Sequence, residues 1–279
     1  IKSDHDFTQG GNKAGMGIIA GTIMGTLVGG ASTVGTAQMA FLYGFSAWWF
    51  TLGAGIGCFF LGTFFARPVR ESGAGTVPQI LLSNYGEKAG LFSGLFASLG
   101  MFLNIAAQII AIVALLSAMF GIAPFPAALL AIFLMASYVV FGGVWGTGIV
   151  GIIKTLLVYF TALFSGYLAL YLFGLFGRGL GKDLSAGFSL VIGVLSTQTY
   201  IQAILSGKDL KTARRGAWVS AILIPPLGLA GILIGLYMKA NFPETDPALA
   251  FPLFVLKFLD PWVGGVVLAT LLLSAIGTG

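Results

Sequence analysis

Charge is what this sequence has least of. Only 8% of its 279 residues are Asp, Glu, Lys or Arg, against roughly 25% in a soluble domain. A water-facing surface cannot be built from that supply, which indicates an integral membrane protein. Cysteine and histidine occur once each. A lone Cys58 excludes a disulfide within the chain and, set in an apolar run, reads as a small packing residue. A lone His5 argues against a histidine-based metal site. The nine acids are Asp4, Asp6, Glu71, Glu87, Asp183, Asp209, Glu244, Asp246 and Asp260, all near the ends of apolar stretches or in loops. With no paired carboxylates, histidine cluster or Cys–His pair in any span, an enzyme is not indicated. The net charge of +5 calls for no nucleic acid, because the basic residues cluster in short loops.

What is abundant is apolar or small. The chain is 57% hydrophobic, with 42 glycines and a mean hydropathy of +0.99, which suits a tightly packed helical bundle among lipids. At about 20 residues per crossing, eight stretches are long enough to span: 14–43, 46–66, 91–120, 124–142, 147–173, 185–206, 216–238 and 261–279. The stretch 74–90 reads as a short interfacial helix and 246–259 as an amphipathic outer one. With the N-terminal end inside, Lys2, Lys13, Arg67, Arg70, Lys88, Lys208, Lys211, Arg214 and Arg215 share the inner side. Arg178, Lys182, Lys239 and Lys257 lie outside, nine against four with Lys154 left over. The positive-inside rule favours this orientation, in an inner or plasma membrane of prokaryotic type. Trp48 and Trp49 then lie near the outer boundary. There is no initiating Met, and the last stretch stops at Gly277-Thr278-Gly279, so the chain is expected to be an internal piece of a longer protein.

The middle of the first span reads Val28-Gly29-Gly30-Ala31-Ser32-Thr33-Val34-Gly35-Thr36, seven of nine being Gly, Ala, Ser or Thr. Glycine weakens a helix by about 0.5–1 kcal/mol relative to alanine, so this clustering predicts a break. Unwound backbone at membrane depth survives only where protein or a watery cavity satisfies it, and such breaks mark transport sites. Close helix packing through small residues is the alternative account. The sixth span has a matching interruption, Gly193-Val194-Leu195-Ser196-Thr197-Gln198-Thr199, although Ser and Thr can also bond back to their own helix. Polar side chains near the two breaks are candidates to bind a small solute: Ser32, Thr33 and Gln38; Asn104 and Gln108, i and i+4 on the third span; and Thr197, Gln198 and Gln202. Hydrogen bonds between helices are the competing role for each.

Several ordered motifs carry a resemblance. Asp6-Phe7 and Gly10-Gly11-Asn12 precede the broken first span, and Gly44-Phe45-Ser46-Ala47-Trp48-Trp49 follows it. Next come Gly73-Ala74-Gly75-Thr76-Val77-Pro78 with Tyr85-Gly86, then Ser137-Tyr138 with Gly142-Gly143-Val144-Trp145. The sixth span continues through Gln198, Tyr200-Ile201-Gln202 and Leu205-Ser206 into Lys208-Asp209-Leu210-Lys211-Thr212-Ala213-Arg214. Across nearly its whole length the chain resembles the sodium:solute symporter family. That resemblance implies an all-α, LeuT-type fold of inverted five-helix repeats with broken first and sixth helices. Residues 1–279 would form one transmembrane domain, with 14–173 as the first repeat and 185–279 as an incomplete second. It implies a secondary transporter moving a small polar solute by alternating access, with membrane lipid and the solute as partners, no nucleic acid, and no cofactor beyond Na+ as coupling ion. A transport-like sensor or channel, binding solute without coupled flux, is the alternative.

In the family, sodium is held by two backbone carbonyls before the first break and by one carbonyl and two adjacent hydroxyls on the eighth span. Matched by motif, these are the carbonyls of Gly25 and Val28 and the positions Ala275, Thr278 and Gly279. Gly279 supplies no hydroxyl. The family commonly has Asp where this chain has Gly151, and Gln where it has Lys154. Lys154 is the only ionisable residue well inside a span, about 13 Å along the helix from Trp145 at 1.5 Å per residue, and intramembrane charges are functional hypotheses by default. The expectation is that its ammonium sits where sodium would, making transport sodium-independent or proton-coupled. Alternatively, the side chain snorkels to the membrane face.

Overall fold

The computed structural model describes residues 13–173, 191–195 and 197–278, with side chains undescribed at 138–149, 170 and 173. The described elements are helical: α1 (Met16–Leu27), α2 (Gly30–Tyr43), α3 (Trp48–Phe60), α4 (Ala66–Glu71), α5 (Val77–Tyr85), α6 (Glu87–Phe120), α7 (Pro124–Phe173), α8 (Gln198–Ser206), α9 (Leu210–Asn241), α10 (Ala250–Phe258) and α11 (Pro261–Ile276). A 3-10 turn at Gly44–Ala47, entered through Gly44 at φ 74, follows α2, and a π segment at Leu61–Phe65 joins α3 to α4.

The first break falls at Val28-Gly29. Val28 leaves the helix at φ −86, ψ 81 and Gly29 is extended at φ −122, ψ −162. The polar residues just beyond it restart the helix. Ser32 Oγ accepts from the Gly29 amide at 2.9 Å and donates to the Gly29 carbonyl at 3.1 Å, and Thr33 Oγ1 donates to the same carbonyl at 2.8 Å. Gly29 has no side chain to cap the helix, so the N-cap amide is held from inside the first turn by Ser32. Residue 29 must also be small, because a β-carbon there would stand 2.6 Å from the Thr278 hydroxyl oxygen. The second break lies just before α8: residues 191–195 are helical, Thr197 is extended at φ −76, ψ 124, and α8 begins at Gln198.

α9 is the central post. α1, α2, α3 and α7 all pack on it, and close approach is provided by its glycines and alanines. Its inner face joins one apolar core around Ile19, Ile23, Ile201 and Ile204 to a second around Leu115, Tyr237, Phe254 and Leu271. At one end of the bundle the chain entering α1 is stitched to the exit of α8, with the Ala14 amide on the Ser206 carbonyl at 2.9 Å and the Lys208 amide on the Ala14 carbonyl at 3.1 Å.

Four described helical stretches are long and apolar enough to cross a bilayer: Gly30–Glu71, Glu87–Phe120, Val150–Ala169 and Leu210–Asn241. The broken first helix and α11 are shorter apolar pieces. The separate spans expected at 124–142 and 147–173 are joined differently: the backbone of α7 is helical without interruption from Pro124 to Phe173. Gly142-Gly143 costs a helix only about 1 kcal/mol per glycine, far less than a proline, and does not end it. The apolar stretches of α7, Pro124–Ser137 and Val150–Ala169, lie at either end. The short helices expected near 74–90 and 246–259 are α5 and α10.

Candidate functional site

Two helix ends and one side chain meet beside the first break. α1 ends at Leu27 and α11 at Ile276, and each leaves carbonyls without an intrahelical donor and a partial negative charge. Lys154 reaches between them from α7. Its ammonium donates to the Gly25 carbonyl at 2.5 Å, the Ser274 carbonyl at 3.0 Å and Thr278 Oγ1 at 2.6 Å. An ammonium has three N–H donors, so its hydrogen-bonding capacity is filled. Lys154 is 1% exposed. Burying an ammonium costs several kcal/mol, offset here by three charge-assisted bonds of about 1.5–3 kcal/mol each. The oxygens are held by one another as well. Ser274 Oγ donates to the Val28 carbonyl at 2.7 Å, and the Thr278 hydroxyl lies 2.8 Å from the Ser274 carbonyl and 3.2 Å from that of Gly25.

Lys154 can reach Gly25 because of the residue one turn before it. A β-carbon at Gly151 would collide with the backbone carbonyl of Gly21, so the glycine lets α7 lie directly against α1. Gly25, Thr278 and Lys154 are thus brought together, with the Val28 carbonyl linked to them through the Ser274 and Thr278 hydroxyls. The Ala275 carbonyl is not on the ammonium; it turns to the Thr278 amide at 3.3 Å in the closing turn of α11. Ser274, one residue earlier, supplies the carbonyl instead. It lies four residues before Thr278 on the same helix face. Gly279 falls outside the described residues.

Beside this cluster lies a cavity of about 570 Å³, bounded by α6, the first turns of α2 and α8, and α5. Asn104, Gln108, Thr197 and Gln198 line it, as do Thr26, Ser93, Thr199 and Thr278 and the apolar Phe50, Phe96 and Met101. Gln108 is 2% exposed; its Oε1 accepts from the Gly30 amide at 2.8 Å and its Nε2 donates to Asn104 Oδ1 at 3.3 Å. Gln198 bridges to the loop before α5, accepting from the Val77 amide at 3.2 Å and donating to the Gly75 carbonyl at 3.0 Å. Thr197 Oγ1 donates to the Gly193 carbonyl at 2.6 Å. Ser32 and Thr33 are spent on the cap of α2. Gln38, half-buried on α2, and Gln202, half-buried on α8, are not among the residues lining the cavity. Thr278 belongs to both the cavity and the ammonium cluster.

The family model for the sodium:solute symporter family matches residues 7–186. The chain belongs to that family. Among its relatives is the high-affinity choline transporter 1 of Drosophila melanogaster, 26% identical over 276 residues, covering 91% of this chain and 44% of the relative. Another is the uncharacterized symporter YwcA of Bacillus subtilis, 26% identical over 315 residues, covering 98% of this chain and 60% of the relative. The chain therefore spans about half the length of these curated relatives. Among solved structures, a Na+-coupled sialic acid symporter in a substrate-bound, outward-open state superposes with a TM-score of 0.75. It is 16% identical, and the match covers 99% of this chain and 65% of that one. The likeness establishes the LeuT-type fold with its broken first and sixth helices. This symporter-family chain is an integral membrane protein, and its family and structural neighbours are transporters, not enzymes.

Proposed function

We propose that the chain forms the core of a solute:cation symporter that moves a small polar solute by alternating access, and that the ammonium of Lys154 occupies the place of the coupling sodium. The observation that carries this reading is the ligation of Lys154 Nζ by the Gly25 carbonyl, the Ser274 carbonyl and the Thr278 hydroxyl. Carbonyl and hydroxyl oxygens are the donors a hard cation takes, and here a covalently attached cation takes them. Residues 14–173 act as the first repeat and 185–279 as part of the second, with the N-terminal end cytoplasmic.

Coupling then runs through a proton rather than sodium. The protonated amine pins the end of α1 to α7 and α11. Loss of that proton removes one of the three N–H donors and the charge, freeing the first half of the broken helix to move. Thr278, shared with the cavity, links solute occupancy to the state of Lys154. The reading is tested on the full-length chain by thermal unfolding in sodium against potassium, and by counterflow in proteoliposomes with labelled sugars, amino acids, carboxylates, vitamins and urea. The wild type is expected to unfold at the same temperature in both salts and to exchange its solute equally in both. Lys154→Gln, which restores the family's residue, is expected to gain a sodium-specific stabilisation. Sodium-specific stabilisation of the wild type, or a solute that binds without exchanging, overturns the proposal.

A further inference from the structure

The cavity has a charge selectivity set by how its helix ends are occupied. Every described residue lining it is uncharged. Lys154 is linked to it through Thr278, which lines the cavity, and all three of its donors are engaged by oxygens of Gly25, Ser274 and Thr278. An anion could be held at the half-helix N-termini that open on the cavity, the first turns of α2 and of α8, since such N-termini in broken-helix transporters point at anionic solute groups. At α2 two of those amides are taken. Ser32 Oγ holds the amide of Gly29 at 2.9 Å, and the side-chain oxygen of Gln108 holds that of Gly30 at 2.8 Å. A neutral amide oxygen stands where a carboxylate oxygen would have to sit.

The groups that remain favour a particular kind of solute. The hydroxyls of Thr26, Ser93 and Thr197 each donate back to their own helix, to the carbonyls of Thr22, Gly90 and Gly193 at 2.9, 3.0 and 2.6 Å. Their protons being spent, they offer oxygen lone pairs to an incoming donor. We propose that the cavity selects uncharged solutes that donate hydrogen bonds, polyols or amides in chemical class, and that Gln108 sets this selectivity by holding the Gly30 amide that a carboxylate would otherwise take. This rests on the reading of the cavity as the solute site.

The test needs no knowledge of the natural solute. Cys58, the one cysteine of this sequence, is fully buried; with any cysteine outside residues 1–279 replaced by serine, a reporter is placed in the cavity of the full-length protein by Ala31→Cys, beside Gly30, or by Ala97→Cys, on α6. Each variant is treated with three methanethiosulfonates of similar size, the neutral 2-hydroxyethyl, the anionic 2-sulfonatoethyl and the cationic 2-trimethylammonioethyl reagent. Rates are followed by mass spectrometry and divided by those of free 2-mercaptoethanol. Both charged reagents are expected to react at least about tenfold more slowly than the neutral one, the scale of one unmade charged hydrogen bond. Adding Gln108→Ala to Ala31→Cys is expected to raise the rate of the anionic reagent severalfold and to leave the neutral rate unchanged. An anionic or cationic reagent that reacts as fast as the neutral one overturns the proposed selectivity. An anionic rate unmoved by Gln108→Ala removes Gln108 from it. If the neutral reagent fails to react at both positions, the reading of the cavity as a solute site falls instead.

Discussion

One turn of α7 separates Gly151 from Lys154, and the missing side chain at the first decides what the second can touch. Because a β-carbon at Gly151 would meet the Gly21 carbonyl, any larger residue there must push α1 and α7 apart. The obstructing atom is backbone and cannot rotate away. Gly151→Ala is therefore expected to destabilise the protein by about 1–3 kcal/mol, the usual cost of overpacking, and to draw the Gly25 carbonyl away from Lys154 Nζ. A lowered unfolding temperature in detergent checks the first effect, and an unchanged one would remove the close approach from the account. Lys154 itself was legible in the sequence, as the one ionisable residue well inside a span. Ser274 was not, because serine in a small-residue helix has many uses and motif matching pointed to the neighbouring Ala275. A shift of one residue turns a helical position by about 100°, enough to exchange which carbonyl faces the ammonium.

Helix starts and stops were legible where side chains close the backbone locally. The break at Val28-Gly29 is written in its glycines and in Ser32, which holds the Gly29 amide; Thr197 leaves the start of α8 without a side-chain cap and bonds back to the Gly193 carbonyl. The continuity of α7 through Gly142-Gly143 was not, since two glycines weaken a helix without deciding whether it stops. The start of α9 has a testable cap of its own. Asp209 accepts from the Thr212 amide at 2.7 Å, and that backbone bond, with help from the Thr212 side chain, holds its carboxyl below the usual carboxylate range. A carboxyl with a depressed folded value stabilises the fold at neutral pH and loses that contribution as pH falls through the folded value. Asp209→Ala is thus expected to unfold below the wild type at pH 7, with the gap closing as the solution is acidified. Parallel pH series of thermal unfolding check this, and a gap that is constant with pH would mean that the carboxylate does not act as the cap.

At the scale of the whole molecule, the membrane class and the family were legible from apolar length and ordered motifs, but the way one end of the bundle is closed was not. Arg70 looks in the sequence like one more loop cation. In the structure its guanidinium donates to the carbonyls of Ile204 at 3.0 Å, Leu205 at 3.4 Å and Gly207 at 2.7 Å, at the exit of α8. It thereby caps the helix whose last residue is stitched to Ala14, so α4, α8 and the entry to α1 are held as one unit. No local pattern announces this, because the partners are backbone groups more than 130 residues away in sequence. Under the alternating access proposed above, the halves of the broken helices move relative to their neighbours and this end releases its ties. Arg70→Ala removes charged hydrogen bonds worth about 1.5–3 kcal/mol apiece, so the Ala14 and Lys208 amides, which carry the stitch, are expected to exchange with solvent about tenfold faster or more. Arg70→Lys supplies a single compact charge in place of a planar fork and should restore only part of the protection. Hydrogen–deuterium exchange of the full-length protein reads both amides directly. Unchanged protection in Arg70→Ala would show that the stitch holds without the guanidinium, and that opening of this end is governed elsewhere.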